Sequence, residues 1–207
     1  MFNALALISV IIVMILLKTI VEILPSVLAC LIRWKENINI EASVRLSRDR
    51  DFSSIAMLLP FCLVVFRFRI YDPSFISNLP DSTRLWAVIG IFAAYILVRK
   101  SATMLVHPRR MQQKTLAATE KSANTYFIFL TLILLLVGST CSFFDASLNT
   151  IRLTSLWLSA LIYGLYLIRK VQIFASSCSL FTAFLYLCAL EILPTGILVV
   201  SDVIFWS

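Results

Sequence analysis

Charge in this chain is confined to short stretches between long apolar runs, and that spacing constrains the fold more than any motif does. Thr125 to Phe144 carries no charged residue at all. A helix of about 20 apolar residues crosses the hydrocarbon of a bilayer. Inside that layer every backbone polar group needs a partner within the protein, so runs of this length cross as helices. Of the 207 residues, 60% are hydrophobic and 14% charged, against about a quarter charged in a soluble domain. A soluble bundle would spread its charges along every outward helix face, whereas here they cluster. The sequence predicts an all-α, polytopic transmembrane helix bundle, a single integral membrane domain over residues 1–207, with the lipid bilayer as its first partner.

Six spans are expected. The first covers 2–32 and is interrupted by Lys18 and Glu22, whose i,i+4 spacing puts both on one face and predicts that they pair. Pro25 is expected to kink or end this helix, with 26–34 continuing along the interface. No basic region precedes the run and no small-residue cleavage site follows it, so it reads as a retained helix rather than a signal peptide. Arg33 to Ser54 is polar and basic, and fits either a surface amphipathic helix or a solvated loop. The second span, 55–68, is short and contains Pro60. Residues 71–83 hold Pro73, Pro80, Asp72 and Asp81 and read as a turn region. The third span opens at 85–98, where Arg99 and Lys100 close its apolar core. The fourth is 125–144, the fifth 153–168 and the sixth 180–206.

Eighteen Lys and Arg face eleven Asp and Glu, for a net charge of +7. Thirteen of those bases follow spans one, three and five, four follow or end spans two and four, and Lys18 lies within span one. The base-rich side of a membrane protein is cytoplasmic, so both termini are predicted to be periplasmic. The basic connections suit an anionic inner leaflet. No aromatic residues interleave with a basic face, which argues against nucleic acid as a partner. The five cysteines lie in or beside apolar runs without a Cys-x-x-Cys pair, and read as small core residues rather than a disulfide framework or metal site. His107 is the only histidine. No metal and no cofactor is expected.

The candidate residues are polar groups within apolar sequence. Glu191 lies inside the stretch from Leu185 to Val200, with Pro194 three residues on. An acid at a helix centre costs roughly 2.5–3.5 kcal/mol on insertion scales. Pro194 withdraws a backbone donor and crowds the carbonyl of Leu190, which then needs another partner. Glu191 is either a functional carboxylate or an internal strut, and Lys18 is one base that could pair with it. Lys18 and Glu22 could also line a polar path with it. His107, Arg109 and Arg110 are candidates to hold a lipid headgroup. No catalytic constellation or Gly-rich phosphate loop is present. Glu22-Ile23-Leu24-Pro25 is echoed by Glu191-Ile192-Leu193-Pro194, a likeness read as shared helix-kink chemistry.

The stretch Leu185-Tyr186-Leu187-Cys188-Ala189-Leu190-Glu191-Ile192-Leu193-Pro194 resembles the end of an uncharacterised Bacteroidota family of polytopic inner-membrane proteins, a domain of unknown function (DUF4271-like). The resemblance implies a multi-pass protein of the bacterial inner (cytoplasmic) membrane and supplies no reaction. The leading expectation is a non-enzymatic subunit or assembly factor of a larger envelope complex, in secretion or membrane-protein biogenesis. Its partners would be other inner-membrane or envelope proteins, with a homo-oligomer also open. The alternatives are a small transporter or channel using the intramembrane carboxylate, and a lipid-modifying enzyme.

Overall fold

The structure, a computed structural model, describes residues 2–33, 35–105, 113–175, 184–185 and 187–204. Its elements are α1 (Phe2–Ile32), α2 (Lys35–Ala42), α3 (Val44–Ala56), α4 (Leu58–Arg67), α5 (Ser74–Ser77), α6 (Asp81–Leu105), α7 (Gln113–Phe143) and α8 (Leu148–Ala175). A π-helical turn, Cys188–Ile192, then leads into α9 (Leu193–Ile204). Among the described residues there is no strand. Among the same residues four helices, within α1, α6, α7 and α8, are long and apolar enough to cross a membrane.

Three sequence expectations change. First, α1 does not end at Pro25 but continues as one helix to Ile32 over 31 residues. A proline inside a membrane helix removes one backbone bond, and the remaining bonds carry the helix through. Second, the second span is divided at Met57. Pro60 has no N–H for the carbonyl of Ala56, where α3 ends, and it falls in the first turn of α4, where a missing donor costs nothing. The chain barely breaks, since Met57 N–H donates to Ser53 O at 2.9 Å and Phe61 N–H to Met57 O at 3.1 Å. Third, of the two readings of 33–54 the loop falls, since α2 and α3 cover most of it. In α3 the polar Ser47, Arg50 and Ser53 are buried while Val44, Phe52 and Ile55 are exposed. That inversion suits a helix with an apolar outer environment.

The helices alternate in sense. α4 runs alongside α7: Asp51, just before it, meets Asn124, Phe61 stacks edge-on against Phe127, and Phe68 lies against Gly138. A Cβ on Gly138 would come within 2.5 Å of the Phe68 ring, so glycine is what admits that ring. α1 runs the other way, with Glu22 at Arg45 and with Leu16 and Ile20 packed at Met57. α6 and α8 are antiparallel to α9 through the pairs Arg99–Glu191 and Lys170–Glu191 at one end and Arg152–Asp202 at the other. The largest core centres on α4, where Phe61, Cys62, Val64 and Val65 pack with Val88 of α6 and Leu134 of α7.

Two helix ends show the same backbone device. After α4, Ile70 N–H returns to Val65 O at 3.0 Å, and after α7, Ala146 N–H returns to Cys141 O at 3.0 Å. Both bonds have the spacing of a Schellman cap, which needs a left-handed residue. Arg69 and Asp145 supply it, each at φ 50°, where glycine would be unstrained.

Candidate functional site: two ionic layers and the Glu191 cluster

Glu191 is 1% exposed. The π-helical turn seats it: Leu193 N–H donates to Cys188 O, five residues back, which widens the helix just before Pro194. Pro194 then falls in the first turn of α9 and needs no donor. The carboxylate meets two cations from two other helices. Arg99 of α6 donates to Oε1 from Nε at 3.2 Å and from Nη2 at 2.9 Å. Lys170 of α8, itself 1% exposed, donates Nζ to the same oxygen.

Three tyrosines complete the shell. Tyr166 Oη accepts from Arg99 Nη2 at 2.7 Å and from Lys170 Nζ at 3.0 Å. Its ring lies under both cations, 5.7 Å from Arg99 and 5.4 Å from Lys170. Tyr163 Oη donates to the Glu191 carbonyl at 3.0 Å and lies 3.1 Å from the Thr195 hydroxyl, which Tyr95 Oη meets at 3.0 Å. The outside donor therefore reaches the carbonyl of Glu191, one residue beyond the Leu190 carbonyl that Pro194 was expected to leave in need. Taking an isolated charge out of water costs several kcal/mol, recovered only where geometry and added hydrogen bonds are good. This cluster supplies both.

The buried ion pairs fall in two layers. At the level of Glu191, on the other side of α7, lies a second network. Arg50, wholly buried, holds Glu41 at 2.9 Å and Asp51 at 3.1 Å, and Lys121 holds Glu41 at 2.9 Å and Asp51 at 3.2 Å. Asn124 donates to Asp51 at 3.0 Å. Burial pushes the Glu41 carboxyl up, but the hydrogen bonds from Lys121 and Arg50 outweigh it and hold the group below its ordinary value. The far layer joins the 70–84 region to α9. Asp72 pairs with Arg84, Asp72 N–H donates to Asp202 Oδ1 at 2.9 Å, Arg152 approaches Asp202 at 3.6 Å, and Tyr71 Oη meets Ser201 Oγ at 2.7 Å. Along α8, Arg152 and Lys170 are about 27 Å apart at 1.5 Å per residue, whereas Glu191 and Asp202 are about 17 Å apart on the last helix. The acids sit deeper than the bases, whose long side chains reach inward to them.

The other sequence candidates separate. Lys18 does not reach Glu191, because it lies on the exposed face of α1, opposite the stripe of Leu16, Ile20 and Ile23 that packs inward. Nor do Lys18 and Glu22 pair with each other. Glu22 takes Arg45 of α3 at 2.9 Å instead, and a lysine preceding its acid at i,i+4 is the weaker order for a helix pair. His107, Arg109 and Arg110 lie outside the described residues. Cys30, Cys62, Cys141 and Cys188 are free thiols, and Cys178 lies outside the described residues. Among the described residues no group of His, Cys, Asp and Glu could hold a metal ion.

Arg99, Lys170 and the tyrosines escaped the sequence reading. Arg99 and Lys170 each stand in a basic doublet, Arg99-Lys100 and Arg169-Lys170, which reads as the end of a span. Neighbours on a helix point about 100° apart, so one member of a doublet can face inward. Tyr163, Tyr166 and Lys170 at i, i+3 and i+7 carried the usable signal, a polar stripe along one face of α8.

Long apolar helices, interior ion pairs and an apolar exterior define a multi-helix membrane protein. Within that class, the family model for a domain of unknown function (DUF4271) matches residues 3–200, and the chain belongs to that family. No curated protein and no solved structure matches the chain.

Proposed function

We propose that this chain is a non-enzymatic inner-membrane subunit or assembly factor of a larger bacterial envelope complex, crossing the membrane six times with both termini periplasmic. Four crossings are α1, α6, α7 and α8. The second would be the end of α3 with α4, which runs parallel to α7 through the bundle core, and the sixth the π turn with α9. The charge asymmetry supports the orientation. Removing Arg99 and Lys170, which serve Glu191 inside the bundle, lowers the richer side from thirteen bases to eleven (13 − 2), against four. A Bacteroidota source and a part in secretion or membrane-protein biogenesis belong to the same reading.

The observation that carries it is the closure of Glu191. The acid on which a transport reading turns is held by two cations and roofed by Tyr166. A carboxylate so engaged acts as a strut that joins α6, α8 and α9. The one feature that favours transport is the run of hydroxyls Tyr95–Thr195–Tyr163 ending at the Glu191 carbonyl, a candidate path for protons. Purification of the tagged protein from its own membrane in mild detergent, with mass spectrometry, tests the leading reading. A stoichiometric companion absent from a control membrane protein is the expected result. A homogeneous particle without a companion, together with a pH-dependent flux in liposomes that Glu191→Gln abolishes, would replace it with transport.

A further inference from the structure

The tetrapeptide Glu-Ile-Leu-Pro occurs twice, and its two copies are treated differently. At Glu191–Pro194 the carboxylate is served inside the chain by two cations, and a tyrosine hydroxyl donates to the Glu191 carbonyl. At Glu22–Pro25 the acid and the proline lie on the outward side of α1, while Ile23 packs inward. Glu22 has one cation, Arg45, in an exposed pair. Pro25 offers no N–H to the carbonyl of Val21, and Val21 is exposed. Lys18, one turn earlier, is exposed, and among the described residues it forms no ion pair.

Lys18 is also poorly placed to reach headgroups. Leu16 and Ile20, on the inner side of the same turns, pack with Met57 and Phe127, and Phe127 belongs to the uncharged run of α7. The Cα–Cβ bonds of a helix tilt toward its N terminus. Lys18 is thereby inclined toward the apolar Met14 and away from the end where α1 meets Arg169. Around it, exposed Leu7, Ile11, Met14, Val21 and Leu28 continue a seam at alternating three- and four-residue spacing, the spacing by which two helices pack along each other. A single lysine in such a seam sets its register.

We propose that this face pairs with α1 of a second copy of the chain, in parallel about a two-fold axis normal to the membrane, with Lys18 of each copy on Glu22 of the other. Such an axis keeps both copies in the same membrane orientation and makes the contact self-complementary. The long side chains bridge the ~8–10 Å between packed helix axes. Each Glu22 then holds two cations, Arg45 of its own chain and Lys18 of the other, which is the set that Glu191 obtains within one chain. The face itself is balanced, with Lys18 and Arg45 against Glu22 and Asp49, and so matches a copy of itself. The proposal goes beyond the complex-subunit reading and does not depend on it.

The test is disulfide crosslinking of the full-length protein in its native membrane through Val21→Cys, with Trp157→Cys on the exposed face of α8 as a control position. Val21→Cys is expected to give a crosslinked dimer and Trp157→Cys none. Lys18→Glu and Glu22→Lys, each added to Val21→Cys, should weaken the dimer, each lost pair by roughly 3- to 30-fold in association. Lys18→Glu with Glu22→Lys together should restore it. Lys18→Met, which adds no repulsion, should weaken it while the protein still elutes without aggregation and keeps its melting midpoint, separating loss of pairing from loss of fold. Absence of the Val21→Cys crosslink, a dimer indifferent to Lys18→Met, or no recovery in a well-folded double variant would overturn the proposal.

Discussion

Replacing Glu191 by Gln is the perturbation whose size the structure sets most directly. The amide keeps the shape and removes the charge. Lys170, 1% exposed, and Arg99 are then left beside each other with no counter-charge on the oxygen they share. Breaking a buried pair by removing one partner costs about 3–5 kcal/mol, because the remaining charge stays buried and unpaired. No discount for solvent screening applies, since both side chains of the Lys170 pair are 1% exposed. For a chain of this size each kcal/mol moves a melting midpoint by about 2–4 °C, so Glu191→Gln should lower it by roughly 6–20 °C. Lys170→Met alone should be destabilising as well. The double variant Glu191→Gln/Lys170→Met should lie well above the sum of the two losses, because the orphaned cation is gone. Thermal unfolding in nanodiscs, followed by tryptophan fluorescence, reads all four proteins. A midpoint for Glu191→Gln within 2 °C of wild type, or strict additivity of the single changes, would refute the strut: about 1 kcal/mol or less is what an open, watered carboxylate is worth.

Other sites yield predictions of similar kind. Tyr163→Phe removes the hydrogen bond to the Glu191 carbonyl and should cost about 0.5–1.5 kcal/mol, with faster hydrogen exchange confined to 188–195 by mass spectrometry. Gly138→Ala drives a methyl into the Phe68 ring and should cost about 1–3 kcal/mol, a loss that Phe68→Leu should partly reverse in the same melting assay. Arg69→Gly relieves a left-handed residue, a strain of roughly 1–2 kcal/mol offset in part by glycine's entropy of roughly 0.5–1 kcal/mol, and should raise the midpoint slightly. Glu41 is held below its ordinary value of 4.5, so its contribution is complete above that pH and fades as pH falls from about 4.5 through the lowered folded value. A midpoint-against-pH curve should fall over that acid range in wild type and more shallowly in Lys121→Met, where the group's pKa is less depressed.

The class of fold was legible because it rests on an additive property. Each apolar run declares its own preference for lipid wherever its neighbours go, which is why the long helices α1, α6, α7 and α8 appear where the hydropathy puts them. Pro60 and Pro194 were legible as disturbances, but the form of each was decided by neighbours. Pro60 divides a helix, Pro194 follows a π-helical turn, and Pro25 leaves α1 continuous. A missing N–H costs little in a first turn, and elsewhere its cost depends on what donor stands nearby.

Pairing was not legible. Glu191 was marked by its own sequence as an acid in need of a base, and Lys18, Arg99 and Lys170 were all available in a linear reading. Only the packing of α6 and α8 against the last helix selects Arg99 and Lys170, and only the rotation of α1 turns Lys18 outward. Burial in lipid-like surroundings is summed residue by residue along the chain. An ion pair depends on distance between residues far apart in sequence, here 92 positions for Arg99 and Glu191, and that distance exists only once the helices have packed.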